Sequence, residues 1–413
     1  MINVAVMGYG TVGSGVVEII NKRGALMNGT CTPEGLAIKY ILDRKEFPED
    51  INADKFTSNI DDIIGDDTVK VVVETMGGVS PAFEFCSMAL KAGKHVVTSN
   101  KELVAEKGLE LLALAKESGV NFLFEASVGG GIPIIRPLSL CLAANEIKSV
   151  NGILNGTTNF ILTKMISDNM SFETALKIAQ DNGYAEKDPT ADVEGYDACR
   201  KICILSALAF GHHIYPKDVH CEGITNVTLE DVAYAASADA VIKLIGTASK
   251  LDNGKVYIVV SPALVRKTSQ LSNVNDVFNA ILVDGDSVGE VVFYGKGAGK
   301  LPTASAVVAD VIDCANHLST RKLIGWDKPL DNQVADYKEI KNEYYIRLNV
   351  SDSFSDLADV KSAFGEINLL ARSGAGTKEL AFISSEYTEN EVRAKIDSLK
   401  NVELKALIRV AQC

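Results

Sequence analysis

The chain lacks any apolar run near the roughly 18–20 residues that a bilayer-crossing helix needs, and it has a deficit of positive charge. Forty-one Lys and Arg stand against 54 Asp and Glu, a net charge of −13. A polyphosphate surface is repelled as a whole, which excludes nucleic acid as a partner, and any anion must be bound locally. Paired cysteine spacing is also missing: eight cysteines lie scattered over 413 residues, which argues for reduced thiols. No basic region precedes an apolar stretch at the N-terminus, where Ile2–Met7 is already strand-like, so a cytoplasmic location is expected. What remains is ordinary globular composition, 47% hydrophobic and 23% charged, over a length that calls for two or three domains.

Val4-Ala5-Val6-Met7, then Gly8-Tyr9-Gly10-Thr11-Val12-Gly13, then Ser14–Ile20 read as a buried strand, a glycine turn and a helix. That is the setting of a dinucleotide fingerprint: Gly8 allows the tight turn, Gly10 lets a pyrophosphate approach, and Gly13 lets helix and strand pack closely. A second strand, Ala37–Leu42, ends at Asp43-Arg44. Asp43 suits a ribose 2′-hydroxyl and Arg44 a 2′-phosphate, so NAD and NADP both stay open. Val69–Glu74 is a third strand leading into Thr75-Met76-Gly77-Gly78, and Lys94–Thr98 a further one leading into Ser99-Asn100-Lys101. Both loops fall at the carboxyl edge of the sheet, where open α/β sheets bind ligands. Helices are expected over Pro81–Ala92 and Leu103–Ser118, and a last strand over Asn121–Ser127 ahead of Gly129-Gly130-Gly131. The alternation describes a Rossmann-type, doubly wound parallel sheet over residues 1–135. His95, at a strand start, is expected to be a structural imidazole.

From Glu146 the texture changes to strands of mixed polarity at Ile147–Leu154, Val256–Val260 and Glu290–Tyr294. They point to an α+β domain over 136–325, with an antiparallel sheet covered by helices on one face and suited to pairing with a second copy. Its densest polar stretch, Gly183–Lys201, feeds an apolar helix on which Asp197 and Lys201 stand four apart, on one face, with Cys199 and Cys203 turned away. A lysine at the start of a buried helix needs a partner or a task. Together with Lys101 it would place two ammonium groups at an interdomain cleft, each lowering the other's pKa toward the range of acid–base catalysis. Zinc is not expected from Cys199, Cys203, His212, His213, His220 and Cys221, because no Cys-x2-Cys pair is present.

These residues closely resemble homoserine dehydrogenases. The family signature is met by Ala179, Gly183, Tyr184, Ala185, Asp188, Pro189, Asp192, Gly195, Asp197 and Lys201, joined by Asn155-Gly156-Thr157-Thr158-Asn159, Thr98-Ser99-Asn100-Lys101 and Gly295-Lys296-Gly297-Ala298-Gly299. The likeness spans about residues 1–325. It implies reversible NAD(P)-dependent interconversion of L-aspartate 4-semialdehyde and L-homoserine, on the way to threonine, methionine and isoleucine. By this resemblance Lys201 is the acid–base residue and Lys101 polarises the reacting oxygen. Glu186 receives the substrate ammonium, with Asp192, Asp197 and Thr157 ordering the pocket. Cofactor contacts are implied at Gly8, Gly10, Thr11, Val12, Gly13, Arg44, Thr75, Gly77, Ser99, Lys101 and Gly297. A monovalent cation, sodium or potassium, is implied at Glu125, Val128, Gly130 and Ile132. A helix near 303–320 should complete the first domain, and a homo-oligomer, dimer or tetramer, is expected. The alternatives are an oxidoreductase on a related amino acid derivative or a non-catalytic sensor, against which the two lysines speak.

Residues 341–413 read as β-α-β-β-α-β, a ferredoxin-like order resembling the ACT module of many such enzymes. Where that module has a Pro-Gly turn toward an amino acid effector such as threonine, this chain has Asp352–Leu357. A structural or dimerising module is therefore expected ahead of an effector site.

Overall fold

The computed structural model describes residues 1–413, which fall into two compact units. The first comprises 1–145, 203–216 and 293–330; the second comprises 146–202, 217–292 and 331–413.

Along the chain the first unit opens with β1 (Ile2–Met7), α1 (Thr11–Arg23), β2 (Leu36–Leu42), β3 (Phe56–Thr57) and α2 (Asp61–Ile64). It continues through β4 (Val69–Glu74), α3 (Ala82–Lys91), β5 (His95–Thr98), α4 (Lys101–Glu117) and β6 (Phe122–Leu123). The six strands form one parallel sheet in the order β3-β2-β1-β4-β5-β6. Their Val-rich runs are buried, as strands covered on both faces must be. The strand order reverses between β1 and β4, so the loops after these two strands define the switch point where such sheets take ligands.

The strand expected over Asn121–Ser127 stops at Leu123, and Glu125–Ser127 is a 3-10 turn. The reason lies in Glu125, whose buried carboxylate accepts the N–H groups of Ile134, Ile135 and Arg136 at 2.6, 2.8 and 2.9 Å. Turning the chain to collect these donors is incompatible with continuing the ladder. His95 is buried, with Nδ1 3.0 Å from the Asn121 N–H, as its structural role requires.

The second unit begins with β7 (Ile147–Ile153), α5 (Gly156–Asp168), α6 (Phe172–Asp181), α7 (Thr190–Val193) and α8 (Tyr196–Phe210), whose last turns belong to the first unit. It goes on through β8 (His220–Cys221), α9 (Leu229–Ser237), β9 (Ala240–Lys250), β10 (Val256–Arg266), β11 (Phe278–Gly285) and β12 (Gly289–Lys296), whose residues from Phe293 on belong to the first unit. After α10 (Lys300–Asn316), in the first unit, come β13 (Tyr344–Asn349), α11 (Ser353–Phe364), β14 (Ile367–Leu370), β15 (Glu379–Ser384), α12 (Glu389–Ser398) and β16 (Glu403–Val410). Gly15 explains the place of α10: a Cβ there would stand 2.9 Å from the Ala304 Cβ, so α1 and α10 pack at close range.

One mixed sheet runs β12-β11-β7-β9-β10-β16-β13-β15-β14. β9 and β10 pair antiparallel over eleven residues, and β16 joins β10 in parallel at Ala263–Arg409 and Leu264–Val410. The last four strands carry their own core, built on Tyr344, Ile346, Phe364, Phe382 and Val392. A half-covered sheet describes the edge strand β12, where half-buried and exposed residues alternate, but not β10, which is buried from Val256 to Val265. β10 lies in mid-sheet, with the turn Tyr337–Glu339 packed against it, so its outer face is not left to water.

Candidate functional site

In the first unit the glycine turn has the form that a pyrophosphate needs. Gly8 has φ +93°, accessible only at high cost to residues with a Cβ. A Cβ on Gly13 would fall 1.9 Å from the Gly8 carbonyl oxygen, whereas around Gly10 no heavy atom lies within 4 Å of that position. Gly8 and Gly13 are closed by packing, and Gly10 faces open space. α1 starts at Thr11-Val12 with no side-chain cap and no acidic residue in its first turn, leaving its leading N–H groups to an anion. Thr75 braces the turn, its hydroxyl donating to Met7 and Gly8 carbonyls at 3.1 and 2.9 Å. Asp43 accepts the Tyr9 N–H at 2.8 Å and the Lys45 N–H at 2.9 Å, while Arg44 is exposed.

Glu74, the last residue of β4, is a functional group the sequence reading passed over. Wholly buried, it accepts the Met76 N–H (2.7 Å), the Gly77 N–H (3.3 Å), the Thr98 hydroxyl (2.5 Å) and the Asn100 amide (3.5 Å). Burial pushes its carboxyl up, and these four donors pull it back toward the ionised form. Asn100 also donates to the Gly78 carbonyl at 2.6 Å and caps α4 by accepting the Leu103 N–H at 3.0 Å. One carboxylate thus ties the loop holding Gly77 to the segment holding Ser99 and Lys101, the first residue of α4. A glutamate closing the buried run Val71-Val72-Val73 was the available signal.

The stretch Glu125–Ile132 is buried except Gly131. Gly130 (φ +55°) abuts Gly297, whose carbonyl oxygen would lie 2.4 Å from a Cβ there. Within the stretch the Gly129 carbonyl accepts the Ile132 N–H at 2.9 Å, and no backbone N–H outside the helices and strands is directed at the carbonyls of Val128, Gly130 or Ile132. Backbone carbonyls in such a buried stretch fit a hard cation, whereas the Glu125 carboxylate is already taken up by backbone N–H groups. Beside it Arg136 pairs with Asp310, which donors and charge only partly compensate for its burial; its carboxyl is pushed up to about 7.

In the second unit the signature residues converge. Lys201, buried on α8, donates from Nζ to Asp197 Oδ2 at 2.6 Å and to the Leu154 carbonyl at 2.7 Å. The four-residue spacing forms an ion pair, as a shared helical face requires. Asn155 donates from Nδ2 to Asp192 Oδ1 at 2.7 Å and to Asp197 Oδ2 at 2.8 Å. The Thr157 hydroxyl donates to the Tyr184 carbonyl at 2.7 Å and so anchors the loop that carries the exposed Glu186. The place of Asn155 before Gly-Thr-Thr marks a helix cap, and nothing local in the sequence announces its reach to two aspartates.

Comparison with known proteins points to one family. Residues 133–312 match the family described as homoserine dehydrogenase, and residues 8–125 the one described as homoserine dehydrogenase, NAD binding domain. The chain is 41% identical over 373 residues to the homoserine dehydrogenase of Bacillus subtilis, covering 88% of this chain and 85% of that one. A solved homoserine dehydrogenase from Thiobacillus denitrificans superposes with a TM-score of 0.87 at 34% identity, over 99% of this chain and 98% of that one. A hyperthermophilic archaeal homoserine dehydrogenase solved with NADPH gives a TM-score of 0.64 at 28% identity, over 76% and 97% of the two chains.

Proposed function

The chain belongs to the homoserine dehydrogenase family, and from that premise we propose how its residues divide the reaction. It is an oxidoreductase that interconverts L-aspartate 4-semialdehyde and L-homoserine with a nicotinamide nucleotide. The bound nucleotide supplies the hydride in reduction and takes it up in oxidation. Lys201 carries the proton: its ammonium gives one to the oxygen that gains charge during reduction, and its amine takes the hydroxyl proton in the reverse direction. Lys101 contributes a second positive charge to that oxygen. Glu186 receives the substrate ammonium, and Asp192, Asp197 and Thr157 order the pocket. With both Asp43 oxygens engaged by backbone N–H groups, Arg44 is assigned to an adenosine 2′-phosphate, which admits NADP as well as NAD.

The observation that carries this reading is the buried Lys201 ammonium, held at one point by Asp197 and the Leu154 carbonyl. Changing Lys201→Met should lower kcat by about 10²–10⁴-fold, the usual worth of a positioned acid–base group, with NADPH affinity by fluorescence titration unchanged. A parallel loss of nucleotide binding and of the folded circular dichroism spectrum would make the residue structural instead.

A sodium or potassium ion is proposed at the carbonyls of Glu125, Val128, Gly130 and Ile132, where it would neutralise buried dipoles and hold the loop. The C-terminal β-α-β-β-α-β module is proposed as ACT-like but structural, because Asp352 spends its carboxylate capping α11 through the Ser355 N–H at 3.1 Å. The apolar residues Val292 and Tyr294, 37% and 57% exposed on the edge strand β12, support a homodimer or tetramer. No helix is long and apolar enough to cross a membrane; a cytoplasmic place in threonine, methionine and isoleucine synthesis is proposed.

A further inference from the structure

We propose that Asn155 is a positioning residue for the catalytic lysine: its side-chain amide, shared between Asp192 and Asp197, fixes the carboxylate oxygen on which the Lys201 ammonium rests. The inference deepens the assignment of the proton to Lys201 and rests on it.

Asn155 sits at the junction of β7 and α5 and is 5% exposed. Its amide orientation is determined at both ends. Oδ1 accepts the Thr158 N–H at 2.8 Å and the Thr158 hydroxyl at 3.0 Å, which caps α5. A flipped amide would aim its oxygen at two carboxylates and its NH2 at a backbone N–H, so only one assignment satisfies the network. Both Nδ2 protons are then used, one on Asp192 and one on Asp197. The residue before it, Leu154, lends its carbonyl to the same ammonium. Two consecutive residues therefore address the catalytic pair, one through the main chain and one through the side chain.

The shared acceptor has an electrostatic consequence. Asp197 Oδ2 receives both the Asn155 amide and the Lys201 ammonium. Within this hydrogen-bonded cluster Asp197 and Lys201 on α8 and Asp192 on α7 carry charge; the amide comes from the residue that caps α5 and the carbonyl from the residue that follows β7. Because the amide draws charge from Oδ2 and stands between two carboxylates, it loosens the hold of Asp197 on the lysine proton. Without it, Lys201 keeps its proton to higher pH.

Asn155→Ser separates this role from capping, since a serine oxygen can still accept the Thr158 N–H but does not reach both aspartates. The variant should melt with the wild type and bind NADPH equally. Its rate of homoserine oxidation should fall about tenfold at neutral pH because the acidic limb of the kcat profile moves up by about one pH unit. Asn155→Ala should show the same displacement and a lower melting temperature as well. If the serine variant fails to fold, Asn155→Asp keeps the cap, adds a charge against both aspartates and should displace the limb further. A wild-type limb in Asn155→Ser, or damage in Asn155→Ala confined to stability, would reduce the residue to a helix cap. Lys201→Met run alongside keeps the two ideas apart: an active Lys201→Met enzyme with an unchanged limb overturns the proton assignment, whereas an inert one beside an unshifted Asn155→Ser overturns the positioning role alone.

Discussion

At the carboxyl edge of the parallel sheet the buried organiser is an acceptor, Glu74, which gathers two backbone N–H groups, a hydroxyl and an amide. In the second unit the organiser is a donor, the Asn155 amide, which serves two carboxylates, one of them paired with a lysine. The first arrangement spreads one charge over neutral dipoles and shapes loops for a nucleotide. The second holds full charges of both signs at hydrogen-bond distance, as a proton carrier requires. The two halves should therefore respond differently when charge is removed without change of shape.

The largest effect is expected at the ion pair. Asp197→Asn leaves the Lys201 ammonium buried without its counter-charge and should cost about 3–5 kcal/mol of unfolding free energy, read by urea denaturation. Next comes Lys243, wholly buried on β9, whose ammonium donates to Asn159 Oδ1, the Val274 carbonyl and Asn275 Oδ1. Burial lowers its pKa from 10.5 to about 8. Between these values the unfolded chain binds a proton that the folded chain has released. Its contribution to stability is therefore complete above 10.5 and is lost as pH falls through about 8. Measured against Lys243→Met, the wild type should gain up to about 3 kcal/mol from neutral to alkaline pH; a constant difference would remove this charge from the account. The smallest effect belongs to Glu74→Gln, about 1–2 kcal/mol, together with a raised KM for the nucleotide, because the charge lost there is one that burial already disfavours. Equal costs for Asp197→Asn and Glu74→Gln in the same denaturation series would erase the contrast between the halves.

Much of this site could be read from local pattern. Gly8, Gly10 and Gly13 lie between an apolar strand and a helix, and the turn is where that spacing puts it. The Asp197–Lys201 pair follows from helical periodicity alone. Glu74 and Asn155 were hidden for one shared reason: their partners are remote in the chain. Thr98 and Asn100 lie 24 and 26 residues beyond Glu74, and Asp192 and Asp197 lie 37 and 42 beyond Asn155. The strand expected through Ser127 failed on similar grounds, since the apolar Phe122-Leu123-Phe124 suited a ladder while Glu125 answered to donors at 134–136.

Sequence alone determined the elements and the chemical vocabulary: which segments are strands, where backbone can approach a phosphate, and which lysine has a carboxylate one turn away. Those are short-range matters of steric freedom and periodicity, and they survive without knowledge of neighbours. Tertiary structure decided which lone pairs each buried polar group would meet, because in a low-dielectric interior every donor and acceptor must be answered, and the answering atoms come from wherever the fold brings them.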